Sequence, residues 1–205
     1  MKHSKFFKAA GNGPWKEGRE GTMTFNDCEP DEFKTFCDFL YTGQVFTIGV
    51  DDTHEVKEAQ EAPKDPGKKP TISDKEMTRA ARLWCLGQKL LSTSFKDAVV
   101  DALIAKCVAE FMYPTSMHLS IYAAGSSTSA IRRLLVDFMV WSLHAKTIEW
   151  KGYDAIAAEY YYDVLVAKGR MTGDADSNQA PFKQGNTCRY HEHVAEGKPC
   201  YMTMF

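Results

Sequence analysis

Apolar residues recur at helical spacing along most of this chain. Phe33, Phe36, Cys37, Leu40 and Tyr41 stand at i, i+3, i+4, i+7 and i+8, one stripe of an α-helix over about 30–42. Pro30 fits the first turn, where a missing N–H costs nothing. Asp31 and Glu32 suit the positive end of the helix dipole, and Gly43 suits the left-handed residue that stops a helix. Val45, Phe46 and Ile48 then predict a short strand at about 45–49, and the weak alternation from Thr22 to Phe25 predicts another. Ahead of these, Ser4 is placed to cap a short helix holding Phe6, Phe7 and Ala10.

Residues 51–72 break the pattern. They hold three prolines and mixed charges, with Val56 and Ile72 as the only large aliphatics. Such a stretch buries too little to offset chain ordering, which predicts a mobile insertion. Ser73 to Glu76 reads as a capping box. The helix behind it carries Met77, Ala80, Ala81, Trp84 and Leu91, with Leu83, Leu86 and Leu90 alongside. The next begins near Ser94 and carries Phe95, Val99, Leu103 and Cys107, four residues apart. The short link between them predicts antiparallel packing.

Pro114 marks a break, a short helix runs through Leu119 and Tyr122, and Gly125 to Ser129 is a turn. A strong helix follows at about 129–145, with Ile131, Leu134, Leu135, Phe138 and Trp141 on one face. Another, at about 153–167, carries Ile156, Tyr160, Val164 and Leu165. Residues 169–187 are polar and loop-like. Early strands and late helices make the expected class α+β, predominantly α-helical.

Composition narrows the function. Apolar residues make up 44% of the 205, enough for a packed core. Lys and Arg number 25 against 27 acids, a net charge of −2, so charge offers no case for nucleic acid or an acidic substrate. No apolar run approaches the length of a membrane span, and the N-terminus lacks the apolar stretch of a signal peptide. The expected setting is intracellular, cytoplasm or nucleus. There the six cysteines are thiols or metal ligands rather than bridges.

An ordered set of residues resembles the BTB/POZ family. It comprises Ser4, Phe6 and Phe7; the turn at Glu20-Gly21 with its strand; Asp27, Pro30, Phe33 and Leu40-Tyr41-Thr42-Gly43; then Leu83, Leu86, Lys89 and Leu90, with Gly87 near the family's usual small residue. Phe95, Lys96 and Val99 continue the pattern. The stretch Ala130 to Trp141 is similar to the helical extension of BTB proteins from filamentous fungi.

The resemblance implies a BTB/POZ-like domain over 1–112, a helical extension over 113–168, a linker over 169–187 and a Cys/His tail over 188–205. It lacks a counterpart of the family's opening hairpin and first helix, so the implied fold is incomplete. The strand at 22–25 is then expected to expose unpaired backbone groups, and much of the family's usual dimer interface is missing. The implied function is non-enzymatic protein–protein binding: dimerisation, with itself or another BTB protein, or service as an adaptor for a cullin-type ubiquitin ligase. Asp38, Tyr41 and Val45, on the rim of the aromatic helix and the following strand, are the expected partner contacts.

The sharpest local chemistry is Cys188-x2-His191-x-His193-x6-Cys200, four soft or borderline ligands within thirteen residues. Zinc takes four such ligands in a tetrahedron, and a shell closed by protein makes the site structural rather than catalytic. Gly197 and Pro199 let the chain turn Cys200 back, whereas two histidines one residue apart need a turn to converge. The competing expectations are an unstructured tail with incidental Cys and His, a redox-sensitive pair, or a zinc element that itself reads another macromolecule. Cys28, Cys37, Cys85 and Cys107 sit in or beside apolar faces, as inert cysteines do. His144 suits a helix C-terminus, Arg132-Arg133 read as solvated helix charges, and no nucleophile elbow or phosphate loop appears.

Overall fold

A computed structural model describes residues 5–12, 19–20, 22, 25, 28–45, 72–111, 113–114, 117–142, 158–171 and 176–205. The helices are α1 (Lys5–Asn12), α2 (Pro30–Thr42), α3 (Ile72–Lys89), α4 (Thr93–Glu110), α5 (Met117–Ala124), α6 (Ala130–Ser142), α7 (Ala158–Arg170) and α8 (Glu192–Glu196). Four short 3-10 turns, at Ser177–Gln179, Pro181–Lys183, Thr187–Tyr190 and Tyr201–Thr203, accompany α8. The fold is mainly helical, and no strand occurs among the described residues. Thr22, Phe25 and Val45 are irregular; most of the two predicted strands, and the insertion up to residue 71, lie outside the described residues.

Helix α4 is the centre. It buries Phe95, Ala98, Val99, Val100, Leu103, Ile104 and Cys107, more than one face can hold, so other elements pack around it. Helix α3 is its principal neighbour. Lys96 Nζ donates to Gln88 Oε1 at 2.8 Å near the turn, and Cys107 Sγ stands 4.0 Å from Met77 Sδ far from it. Contacts that widen in sequence separation in this way mark the antiparallel pair predicted from the short link. Gly87 permits the close approach, since a Cβ there would lie 2.8 Å from Lys96 Cγ. Helix α3 buries Met77, Ala80, Ala81, Leu83, Trp84 and Leu86, and Leu90 is buried in the turn after it. Leu91 falls past its end at φ 50° and is exposed, and Ser73 lies within the helix rather than capping it.

Helix α2 ends as expected, with Gly43 at φ 70° and its N–H on Phe39 O at 2.8 Å. Its inward face is rotated from the predicted stripe. Glu32, Thr35, Phe36 and Phe39 are buried, Phe33, Cys37 and Leu40 half-buried, and Tyr41 is 88% exposed. Polar partners on α3 cause the rotation. Arg82 Nε pairs with Glu32 Oε1 at 2.8 Å, and Arg79 reaches Thr35 Oγ1 at 3.1 Å and Asp31 Oδ2 at 3.4 Å. Phe36 and Phe39 meet Phe95 edge-on and tilted, at 5.0 and 5.3 Å between centroids.

Helix α5 packs on α3, and α7 on α6. Arg132 of α6 is buried, not solvated. It pairs with Glu159 at 2.6 Å, donates to Tyr122 O and Gly125 O at 2.9 Å each, and lies over the Tyr122 ring. Of the three consecutive tyrosines, Tyr160 is buried against His118, while Tyr161 and Tyr162 face outward. The polar stretch after α7 is anchored too: Ala180 and Phe182 are buried, with Phe182 4.8 Å from Phe138 between ring centroids.

Candidate metal centre

The C-terminal segment sends Phe182, Tyr190 and Tyr201 into the core but carries few aliphatic side chains, so much of its shape rests on directed contacts. A 3-10 turn at Thr187–Tyr190 holds Cys188, whose N–H donates to Asn186 Oδ1 at 3.2 Å. His191 follows in extended backbone, and His193 lies in the first turn of α8. That change of backbone is the turn two closely spaced histidines need to aim at one point. Gly197, at φ 63°, ends α8 and reverses the chain, with Lys198 N–H on His193 O at 3.0 Å, which returns Cys200.

Ligand atoms of Cys188, His191, His193 and Cys200 all lie within 4.8 Å of one another, and the two sulfurs are 4.0 Å apart. Zinc–sulfur bonds of about 2.3 Å and zinc–nitrogen bonds of about 2.0–2.1 Å give a tetrahedron with edges of about 3.3–3.8 Å. Small contractions would close the four around one ion. His191 and His193 are buried and the cysteines half-buried.

Two carboxylates of α4, one turn apart, orient the imidazoles. Asp97 Oδ2 is 2.8 Å from His193 Nδ1, and Asp101 Oδ1 is 2.9 Å from His191 Nε2. With a proton on each of those nitrogens, His193 Nε2 and His191 Nδ1 are left for a metal. His191 Nδ1 is buried without a hydrogen-bond partner, an expensive state for a polar atom unless it ligates. A carboxylate behind each histidine is the usual outer shell of a zinc ligand.

The same carboxylates tie the segment to the core. Asp97 accepts the N–H groups of Glu192 and His193 at 2.7 and 3.3 Å, and so caps α8 from another helix. Tyr201 Oη donates to Asp101 Oδ2 at 2.7 Å, and Tyr190 Oη to Asp137 Oδ2 at 2.6 Å. Glu192 in turn accepts from Ser129 Oγ and Ala130 N at the start of α6. Burial pushes the Asp97 carboxyl up, against the hydrogen bonds from Glu192 and His193. Burial also acts on Asp101, but hydrogen bonds from His191, Thr187 and Tyr201 carry it below the ordinary value. Burial, with Cys200 next to it, raises the Cys188 thiol; a bound cation reverses that by favouring the thiolate.

The four predicted ligands thus converge. Asp97 and Asp101 were missed by sequence reasoning, although two aspartates four apart within the mostly apolar run from Asp97 to Ala105 are a readable signal. Of the partner candidates, Tyr41 is exposed, Asp38 is half-exposed beside Lys34 at 3.9 Å, and Val45 is half-buried against the core. Burial raises the thiols of Cys28, Cys37 and Cys85, and takes Cys107 to about 12. His3, His54 and His144 lie outside the described residues. An open depression of about 490 Å³ beside the cluster is lined largely by Ile104, Val108, Phe182 and Met202, with Asp101 and Lys183 its ionisable groups. No helix among the described residues is long and apolar enough to cross a membrane.

Set against protein-family models, curated proteins and solved structures, the chain matches none.

Proposed function

We propose that this chain is a non-enzymatic protein-interaction module of BTB/POZ type, braced by a structural zinc ion on Cys188, His191, His193 and Cys200. The observation that carries the metal reading is the buried, unpartnered His191 Nδ1 beside three further ligands. Two sulfurs and two imidazoles in tetrahedral reach suit zinc better than harder cations. With four protein ligands the shell is closed, so the ion serves shape rather than turnover.

The interaction reading rests on the resemblance. It is supported by where the matching residues fall: Leu40-Tyr41-Thr42-Gly43 ends α2, which packs on the α3–α4 pair carrying Leu83, Leu86, Leu90, Phe95 and Val99. The α+β character, with strands at 22–25 and 45–49, belongs to this proposal. Asp38, Tyr41 and Val45 are its contact residues, and its partners are another copy, another BTB protein or a cullin, in the cytoplasm or nucleus. Burial raises the thiols of Cys28, Cys37, Cys85 and Cys107, which speaks against a cysteine nucleophile among these four.

A second reading makes the metal segment itself the recognition element; exposed Val194 and Met202 on that segment favour it. Metal analysis of the purified chain tests the zinc half, with one ion per chain expected, and none held by Cys188→Ser or His191→Ala. Solution mass and titration with a BTB partner or cullin fragment test the other. Loss of binding in Tyr41→Ala supports the α2 face, and loss in Met202→Ala alone supports the metal segment.

A further inference from the structure

The zinc reading treats Cys188 and Cys200 as passive ligands, yet their sulfurs are also in position to join. They stand 4.0 Å apart, twelve residues apart in sequence, and both are half-buried at the rim of the cluster. The other described cysteines differ. Cys107 is buried against Met77, and Cys85 has its sulfur 3.9 Å from Ser120 O. A disulfide needs the sulfurs at about 2.05 Å, so the pair must close by about 2 Å. Cys188 lies in a single 3-10 turn and Cys200 just before another, both at the ends of short elements. The two histidines, by contrast, are held to α4 by Asp97 and Asp101 and need not move.

We propose that Cys188 and Cys200 are a site of oxidation by hydroperoxides, in which an intrachain disulfide replaces the metal as the closure of the C-terminal segment. This rests on the zinc reading for the metal's departure, but not for the sulfur chemistry. One thiolate attacks a peroxide oxygen, the O–O bond breaks, and a sulfenic acid forms with release of one water after protonation. The second sulfur then attacks that sulfenic sulfur and expels the oxygen as a second water. In total two thiolates lose two electrons, one hydrogen peroxide gains them, and two protons are taken up. Two imidazoles alone make too small a shell for the ion, which leaves as Zn²⁺. The new bond spans the same turn that the metal spanned, so the segment stays docked on α4 through the Asp97 and Asp101 contacts.

The experiment treats the zinc-loaded full chain with equimolar hydrogen peroxide. Released zinc is followed with a chromogenic chelator, and intact mass and non-reducing peptide maps are taken in parallel. The expected product is two hydrogens lighter and cross-linked between Cys188 and Cys200, with one zinc released per cross-link and recovered by a thiol reductant. Cys28→Ser with Cys85→Ser should leave that result unchanged. Cross-linking through any other cysteine, or oxidation to sulfinic acid without a cross-link, overturns the inference while the zinc site stands. A chain that holds no zinc but still forms the Cys188–Cys200 cross-link supports the oxidation site alone and overturns both the exchange with metal and the zinc reading. Because these readouts use the unaltered ligand set, misfolding of a ligand variant does not affect them.

Discussion

The α3–α4 pair and the segment from 176 to 205 belong to one core but are held by different physics. The pair contributes two 18-residue helices whose Leu83, Trp84, Phe95, Val99 and Leu103 are essentially inaccessible to solvent. Its cohesion is area removed from water, which needs no particular partner geometry. The C-terminal segment has one five-residue helix and four three- or four-residue turns, too little to stand alone. It is fastened by Asp97, Asp101, Asp137 and Thr93, each receiving or giving a hydrogen bond across about fifty residues or more of chain. A region rich in apolar area tolerates imprecision, while one held by directed bonds depends on every member.

The largest expected effect separates the two regions directly. Chelation of the metal should cost about 4 kcal/mol or more, and amide hydrogen exchange should accelerate across 187–204 before 93–110. Equal protection of the tail with and without chelator sinks the idea of a metal clasp. Next, Leu103→Ala should destabilise by about 2–5 kcal/mol. That loss should be the same with and without metal, read by denaturant unfolding; a metal-dependent loss would blur the distinction drawn here. Asp97→Asn should then weaken zinc binding about 10–100-fold, measured by competition with a chromogenic chelator. The amide cannot accept from His193 Nδ1–H and the backbone N–H groups as a carboxylate does. Asp163→Asn, which touches Tyr122 rather than a ligand, should leave zinc affinity unchanged.

A smaller effect comes from alkali. Burial raises Cys107 from 9.0 to about 12 in the fold. The protonated thiol is the form the core accepts, so its contribution is complete below pH 9.0 and declines as pH rises towards about 12. Buried Tyr122, Tyr190 and Tyr201 are pushed upward as well, by burial and by their aspartate partners, and act in the same direction. Unfolding midpoints should fall steadily above pH 9.0, and less steeply in Cys107→Ala; a flat profile contradicts the burial of that thiol. The smallest effect is Tyr41→Ala. With its ring exposed, stability should change by no more than about 0.5 kcal/mol, so any loss of partner binding reports the α2 face itself.

Much of the helical frame was legible because its signals are local. Pro30 and Gly43 bracket α2 by backbone preference, and four-residue spacing placed Phe95, Val99, Leu103 and Cys107 on one buried line. The ligand set was legible because Cys188, His191, His193 and Cys200 lie close in sequence, so chain geometry alone keeps them near one another. Misreadings occurred where a distant partner decides. Arg132 reads as a surface charge until Glu159 and two carbonyls surround it, and the inward stripe of α2 reads without Glu32 and Thr35 until Arg82 and Arg79 draw them in.

Sequence alone therefore determined which segments coil and which four side chains share a ligand chemistry, since periodicity, end residues and short spacing act within a few residues. Only the tertiary structure decided which face of α2 turns inward, that a polar C-terminal stretch docks on α4, and that Asp97 and Asp101 choose the nitrogens a metal meets. Those outcomes depend on groups 44 to 96 residues apart finding each other, and no pattern within one segment encodes the partner on another.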